Sequence, residues 1–201
     1  KEKVLAALLN ISYDVHYISV LVSNDNCDDK SDLPQNYINY DLIAGVGLED
    51  ILISNSNSFD RLGKFHSKKQ DWLFGYLSYD LKNETEELTS NNLDNFNADN
   101  LSFFVPEYVL LLNNDRLEVQ THNSKIMCDI FIKEFNFSNT QILKPDINIK
   151  SRDDKGSYLK KINKIKDHIK RGDIYEMNYC QEFYAVEPKF SPQSVFFELN
   201  D

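Results

Sequence analysis

The side chains that most often do chemistry are present in this chain but scattered. The histidines are His16, His66, His122 and His168, and they form no HExxH pair. The three cysteines form no CxxC and do not cluster with the histidines, so the sequence shows no metal-ligand pattern. We therefore interpret each histidine as a surface or structural residue. Gly45 and Gly47 form a GxG, but Asp50 stands at the third glycine position of a dinucleotide fingerprint. With no GxSxG elbow either, the sequence contains no self-contained catalytic motif.

One segment combines a turn, polar side chains and aromatic rings in a recognisable order. It runs from Gly172 to Phe183, reads GDIYEMNYCQEF, and follows a basic helical pattern. It resembles the signature G-[DE]-x-[YF]-Q-x-N-x-x-Q-R-F that opens the catalytic half of the chorismate-binding enzymes. The matching residues are Gly172, Asp173, Tyr175, Asn178, Gln181 and Phe183. Glu176 replaces the usual Gln and Glu182 the usual Arg, so carboxylates stand where the family has an amide and a cation.

A second resemblance lies upstream, and together the two cover the chain from about Ile18 to Leu199. The run WLFGYLSYDL from Trp72 to Leu81, followed by Glu86, is similar to the family's GYxxYDxxxxxE strand. The family includes anthranilate synthase component I and aminodeoxychorismate synthase component I. Asp173, Tyr175 and Asn178 resemble the aminodeoxychorismate branch, because the anthranilate branch more often has Glu, Phe and an apolar residue there.

The resemblance also implies a small-ligand pocket. The strand VLVS ends at Ser23, where the family places a serine in a tryptophan pocket, and YINYD resembles the Y-x-x-[FY]-D of its wall. The implied pocket residues are Ser23, Tyr37, Ile38, Asn39 and Tyr40. Two alternatives remain open: the tyrosines are core or edge aromatics, and Asn178 is a buried polar hub rather than a ligand contact.

The reaction implied by the resemblance is the replacement of the chorismate hydroxyl by ammonia from glutamine, which gives 4-amino-4-deoxychorismate. It implies Mg²⁺ as cofactor and a glutamine amidotransferase subunit as partner. In the family the general acid–base Glu, the metal-binding Glu residues and a lysine motif lie in the later half. We therefore expect no catalytic residue and no metal ligand in this chain, which would be truncated and inactive alone. Anthranilate synthase component I and a non-catalytic module that binds an aromatic amino acid remain open as alternatives.

The elements that must position these residues follow from periodicity and turn signals. In the first part we predict three strands, Tyr17–Val22, Asp41–Val46 and Trp72–Tyr79, and a hairpin of Tyr108–Leu112 with Leu117–Thr121. We also predict a helix at Asn57–Lys69 and a surface loop at Asn83–Asn100. Gly75 inside its strand predicts a bulge or a close backbone approach.

The later part predicts helices and one strand: helix Asn123–Phe135, connector Phe137–Arg152, helix Tyr158–Arg171, strand Asp173–Val186, and a helix from Ser191. Gly172 is predicted to cap the second helix in a left-handed conformation. The fold class is α+β, mainly antiparallel sheets with flanking helices, similar to anthranilate synthase component I. The predicted domains are 1–150, an N-terminal domain, and 151–201, the incomplete start of the chorismate-binding domain.

Composition excludes some classes of partner. The net charge of −10 repels phosphate backbones and anionic lipid, so we expect neither nucleic acid nor membrane as a partner. Three cysteines with no close pair fit a reducing compartment better than a disulfide framework. With no apolar run long enough to span a bilayer, we expect a cytoplasmic protein.

Overall fold

The chain forms two units in a computed structural model that describes residues 1–12, 15–23, 40–89, 93–122, 147–186, 195–196 and 198–199. The units are Lys1–Asn139 and Thr140–Asp201. Every strand pair among the described residues is antiparallel, and helices accompany the sheets. The α+β class with antiparallel sheets is therefore confirmed. The predicted helix Asn123–Phe135 lies outside the described residues.

The first unit contains seven strands in two sheets among its described residues. The elements in chain order are α1 Glu2–Ile11, β1 Ile18–Val22, β2 Leu42–Val46, β3 Asp50–Ser54, α2 Ser58–Lys69, β4 Phe74–Leu77, a 3₁₀ turn Tyr79–Leu81, α3 Lys82–Thr85, β5 Leu101–Val105, β6 Tyr108–Asn113 and β7 Arg116–Thr121. One sheet has the order β1-β2-β6-β7 and the other β3-β5-β4. The predicted strands at β1, β2 and β4, helix α2 and the β6–β7 hairpin are confirmed. Elements α1, α3, β3 and β5 were not predicted, and α3 overlaps the start of the predicted loop Asn83–Asn100.

Burial explains why these segments form their elements. In α1, Val4, Leu5, Leu8 and Ile11 are buried and recur at helical spacing. Strand β6 is buried from Tyr108 to Leu112, so it has a continuous apolar run instead of an alternating one. Complete burial of a leucine side chain contributes roughly 1.5–3 kcal/mol, so these segments supply much of the stability of the unit.

The two sheets meet through aromatic rings. Phe74 of β4 and Phe104 of β5 form one buried cluster with Val109 and Leu111 of β6. A Cβ atom built on Gly45 of β2 would lie 2.6 Å from the ring of Phe74, so the absent side chain makes room for the ring. This contact gives Gly45 a packing role, although the GxG that it begins is not part of a dinucleotide fingerprint.

The predicted close backbone approach at Gly75 is confirmed. A Cβ atom built there would lie 2.0 Å from the carbonyl oxygen of Ser102, on the neighbouring strand β5. The predicted strand Trp72–Tyr79 is shorter than expected, since Tyr79 begins the 3₁₀ turn. Trp72 instead stacks on Phe74 with 6.2 Å between ring centroids and donates from Nε1 to Gln120 Oε1 at 3.1 Å.

Helix α2 is capped by a carboxylate from a distant segment. Glu84 of α3 accepts a hydrogen bond from the Ser58 N–H at 2.7 Å and from the Ser58 hydroxyl at 2.6 Å. Ser58 is fully buried, and buried donors are costly without a partner. Arg61 donates to Ser54 Oγ at 3.0 Å beside it. Glu84 therefore holds the segment after β4 against the first turn of α2, where free N–H groups favour an anion.

The second unit contains one long helix and a two-stranded ladder among its described residues. Its elements are β8 Lys150–Ser151, α4 Lys155–Arg171 and β9 Phe183–Tyr184, and the backbone is helical at 195–196 and 198–199. Helix α4 is confirmed but begins at Lys155, because Asp154 accepts from the Ser157 N–H at 2.8 Å as an N-cap. Gly172 has a φ of 79°, so the predicted left-handed cap is confirmed.

The predicted strand Asp173–Val186 is wrong over most of its length. Only Phe183 and Tyr184 are in a strand, and they pair with the two residues of β8. A strand needs a neighbour for its backbone N–H and C=O groups, and the described residues provide a neighbour only there. Most of the predicted apolar face does not pack either, since Tyr175 is 92% exposed and Phe183 67% exposed, and only Tyr179 of that face is half-buried.

We expect Gly45→Ala to lower the free energy of unfolding by about 1–3 kcal/mol, because the new methyl group overlaps the Phe74 ring. In a Phe74→Val background, which lacks the outer ring atoms, the same substitution should cost much less. Gly63→Ala is the matched control, since its Cβ would meet nothing within 4 Å and it lies in helix α2. Urea unfolding of the parent and the four variants checks this, and equal effects of the Gly45→Ala and Gly63→Ala substitutions would contradict the contact.

Candidate functional site

Two of the residues predicted for a small-ligand pocket, Ser23 and Tyr40, are described in the first unit. The β1–β2 ladder extends past its last pair, and the Ser23 N–H donates to the Asp41 carbonyl at 3.1 Å. Lys1 Nζ donates to the Ser23 carbonyl. Tyr40, one residue before Asp41, packs against the buried cluster around Phe74. The fold thus holds a half-buried serine and an aromatic ring at one end of the same sheet, whereas Tyr37, Ile38 and Asn39 lie outside the described residues.

The signature segment, residues 172–183, belongs to the second unit and starts at the capped end of α4. Asp173 donates from its backbone N–H to the His168 carbonyl at 3.0 Å. Its carboxylate lies 2.8 Å from His168 Nδ1 and 2.8 Å from an Arg171 guanidinium nitrogen. Both residues lie in the last turn of the helix, where the positive charge of Arg171 complements the helix dipole. Gly172 and Asp173 therefore act together as a turn that ends α4.

Asp153 anchors the middle of the signature segment. Its carboxylate accepts from Lys161 Nζ at 2.7 and 2.8 Å and from the Tyr179 hydroxyl at 2.7 Å. Its backbone carbonyl accepts from Gln181 Nε2 at 3.1 Å. The Tyr179 ring also packs on Tyr158 of α4, with 5.6 Å between ring centroids. Two alternate residues of the segment are thus tied to one residue at the start of α4.

The charges in this anchor reinforce each other. Hydrogen bonds from Lys161 and then Tyr179 hold the pKa of Asp153 below its ordinary value of 3.8. The hydrogen bond to Asp153 raises the pKa of Lys161 and that of Tyr179 above their ordinary values of 10.5 and 10.0. The Asp153 contribution to stability is lost as the pH falls through its lowered pKa, and the other two are lost as the pH rises through their raised pKa values. The anchor is therefore intact across the whole neutral range.

The departure at Glu182 has a partner within the chain. Arg152 Nε lies 2.6 Å from Glu182 Oε2, and the Arg152 N–H donates to the Glu182 carbonyl at 3.0 Å. The same guanidinium lies over the Tyr184 ring, 3.8 Å from its centroid. These contacts hold the end of the signature segment next to β8. The Glu182 carboxylate, which stands where the family has an Arg, therefore pairs with Arg152, the residue that directly follows β8.

The remaining signature side chains face outward. Tyr175, Asn178 and Cys180 are exposed, and the Cys180 thiol is free. Asn178 is therefore not the buried hub that one alternative proposed. Tyr179 and Gln181 hydrogen-bond to Asp153, whereas the intervening Asn178 and Cys180 are exposed. Side chains on one side of this coil therefore anchor it, and those on the other side are accessible to a ligand.

Three residues that hold the signature segment, Arg152, Asp153 and Lys161, were not among the predicted site residues. A usable signal was present, because Asp153, Ser157 and Lys161 are spaced four residues apart and four-residue steps lie on one face of a helix. The contact with Tyr179 had no such signal, since 26 residues separate it from Asp153.

Two further features bear on ligands and location. No three His, Cys, Asp or Glu side chains of the described residues lie close enough together to hold a metal ion. No helix in the described part of the chain combines the length and apolar composition needed to cross a bilayer.

We expect Arg152→Glu to loosen residues 182–184, because it places two carboxylates together and removes the cation over Tyr184. Backbone hydrogen exchange of these residues, measured by mass spectrometry, should quicken by roughly severalfold. The double variant Arg152→Glu with Glu182→Arg restores opposite charges and should return exchange to within about twofold of the parent. No recovery in the double variant would show that the ion pair does not hold this ladder.

Comparison with known proteins places these features in a family. No individual curated protein matches the chain. Residues 39–200 match the family described as chorismate binding enzyme. The match covers most of the chain and includes the signature segment. The chain therefore belongs to the chorismate binding enzyme family.

Proposed function

We propose that this chain is part of component I of aminodeoxychorismate synthase. The observation that carries the proposal is the signature segment, which agrees with the family pattern at six of its eight specified positions. Asp173, Tyr175 and Asn178 favour the aminodeoxychorismate branch over the anthranilate branch. The exposure of Tyr175 and Asn178 supports a role in binding chorismate, because side chains that contact a substrate must be accessible.

In the proposed reaction ammonia displaces the hydroxyl of chorismate, and the product is 4-amino-4-deoxychorismate. The ammonia comes from glutamine through an amidotransferase subunit in the cytoplasm. Mg²⁺, when bound, would neutralise a chorismate carboxylate and help the hydroxyl to leave, and we assign its ligands to residues beyond this chain. The role of this chain is to present one wall of the chorismate pocket, with Asn178 as its amide donor and acceptor.

A second ligand, tryptophan, is proposed for the first unit. Ser23 and Tyr40 lie at one end of the β1–β2 ladder, and a hydroxyl beside an aromatic ring suits the head group and the indole face of an amino acid. Tyr37, Ile38 and Asn39 would complete this pocket.

Genetic complementation distinguishes the possible products. We expect the complete reading frame that contains this chain to restore growth without p-aminobenzoate in a strain lacking aminodeoxychorismate synthase component I. It should not restore a strain that needs tryptophan because it lacks anthranilate synthase component I. The 201-residue chain alone should restore neither strain. Rescue of the tryptophan requirement instead would assign the protein to the anthranilate branch.

Tryptophan binding is tested on the chain itself. We expect saturating tryptophan to raise the melting temperature, because a ligand that binds only the native state stabilises it by mass action. At about 100 times Kd the gain is roughly 2.7 kcal/mol. Ser23→Ala should remove most of this gain, whereas Ser67→Ala on the exposed face of α2 should keep it. An unchanged melting temperature at millimolar tryptophan would rule out the pocket, and binding without rescue of either strain would favour a non-catalytic module.

A further inference from the structure

The signature segment has almost no secondary structure to hold its shape. Between Gly172 and Phe183 its backbone forms neither helix nor ladder, and the two-residue strand β9 begins only at Phe183. A coil with few backbone hydrogen bonds samples many conformations unless side chains restrain it. Something other than the backbone must therefore fix the direction of Asn178.

The restraint is supplied by side chains on both sides of the exposed positions. Tyr179 donates to the Asp153 carboxylate at 2.7 Å, and Gln181 donates to the Asp153 carbonyl at 3.1 Å. Lys161 orients that carboxylate through 2.7 and 2.8 Å contacts to its two oxygens. Successive side chains of an extended coil point to opposite sides, so fixing residues 179 and 181 turns residues 178 and 180 outward.

We propose that Asp153 and Tyr179 are positioning residues, which fix the signature segment so that the Asn178 amide is presented to the chorismate that the family binds. The ligand named here rests on the proposed function, whereas the anchor itself rests on geometry alone. Neither residue touches the substrate in this scheme, since both act through the backbone between Asn178 and Gln181. Asp153 lies before the signature motif, so the motif depends on a residue outside it.

The restraint is hard to replace by simpler contacts. The Asp153 carboxylate is shielded, with 16% of its side chain exposed, and its hydrogen bonds are charge-assisted. The nearby Tyr175, which has the same phenol group, is 92% exposed. Tyr175 is therefore the natural control for Tyr179.

The first test is backbone hydrogen exchange of the Arg152 N–H, which donates to the Glu182 carbonyl and so reports how firmly the segment is held, in the whole 201-residue chain. Tyr179→Phe removes one oxygen and should quicken exchange of this N–H by at least about tenfold, because hydrogen bonds to charged groups contribute that much. Asp153→Asn should act in the same direction. Tyr175→Phe and Asp167→Asn, matched changes without an anchor contact, should leave the segment unchanged. Exchange in β2 and β6 must stay slow in every variant, which shows that the fold is retained.

A second measurement separates positioning from general stability. The phenol of Tyr179, read as the difference between the parent and Tyr179→Phe absorbance titrations, should ionise above its ordinary pKa of 10.0. In Asp153→Asn that pKa should fall back towards the ordinary value. A Tyr179 pKa that ignores Asp153, or exchange equal in Tyr179→Phe and Tyr175→Phe, would overturn the proposal.

The ligand part of the proposal has its own readout. In the complete reading frame, Tyr179→Phe should slow rescue of the p-aminobenzoate requirement, whereas Asp167→Asn should leave it unchanged. Faster exchange in Tyr179→Phe without rescue by the parent frame would refute the proposed function but leave the anchor standing. Rescue at the parent rate by Tyr179→Phe, despite faster exchange, would refute the positioning role.

Discussion

The ring of Phe74 lies where a side chain at position 45 would otherwise be, and the two sheets of the first unit meet through this contact. Phe74 joins Phe104, Val109 and Leu111 in one buried cluster, and Tyr40 packs on its edge. Protein cores are densely packed, so an ångström of extra separation here would open a void along the whole interface. The position of the predicted ligand residues at the end of β1 and β2 depends on this packing, because Tyr40 rests on the same cluster.

The second unit is organised by a different kind of interaction. Its long helix has no fully buried side chain, and its ladder contains only two residue pairs. Order in the signature segment comes instead from polar contacts at both ends of the segment: the Gly172 turn with Asp173 at one end, and Asp153, Arg152 and their partners at the other. Such contacts are directional, which suits a segment that must present particular side chains more than one that must fill a core.

The two substitutions within the signature have different structural standing. Glu182 is matched by Arg152 and by the ring of Tyr184 beyond it, so the lost family cation is replaced by an internal ion pair. Glu176 is exposed in the coil, beside the presented residues Tyr175 and Asn178. A carboxylate there adds negative charge next to the surface proposed to meet an anionic substrate. Nothing in the structure explains Glu176.

The sequence by itself determined the local elements of this protein. The apolar spacing of α2 and α4, the Gly172 cap and the β6–β7 hairpin all depend on neighbours within a few residues. The signature also pointed to the family, because its residues are contiguous. Only the tertiary structure decided which segments find a partner. The alternation from Tyr175 to Phe183 resembled a strand, but a strand also needs a neighbour, and β3 and β5 became strands because each found one. The contacts of Glu84 with Ser58 and of Asp153 with Tyr179 each join residues 26 positions apart. No pattern of spacing along the chain encodes such contacts, since they form only when folding brings distant segments together.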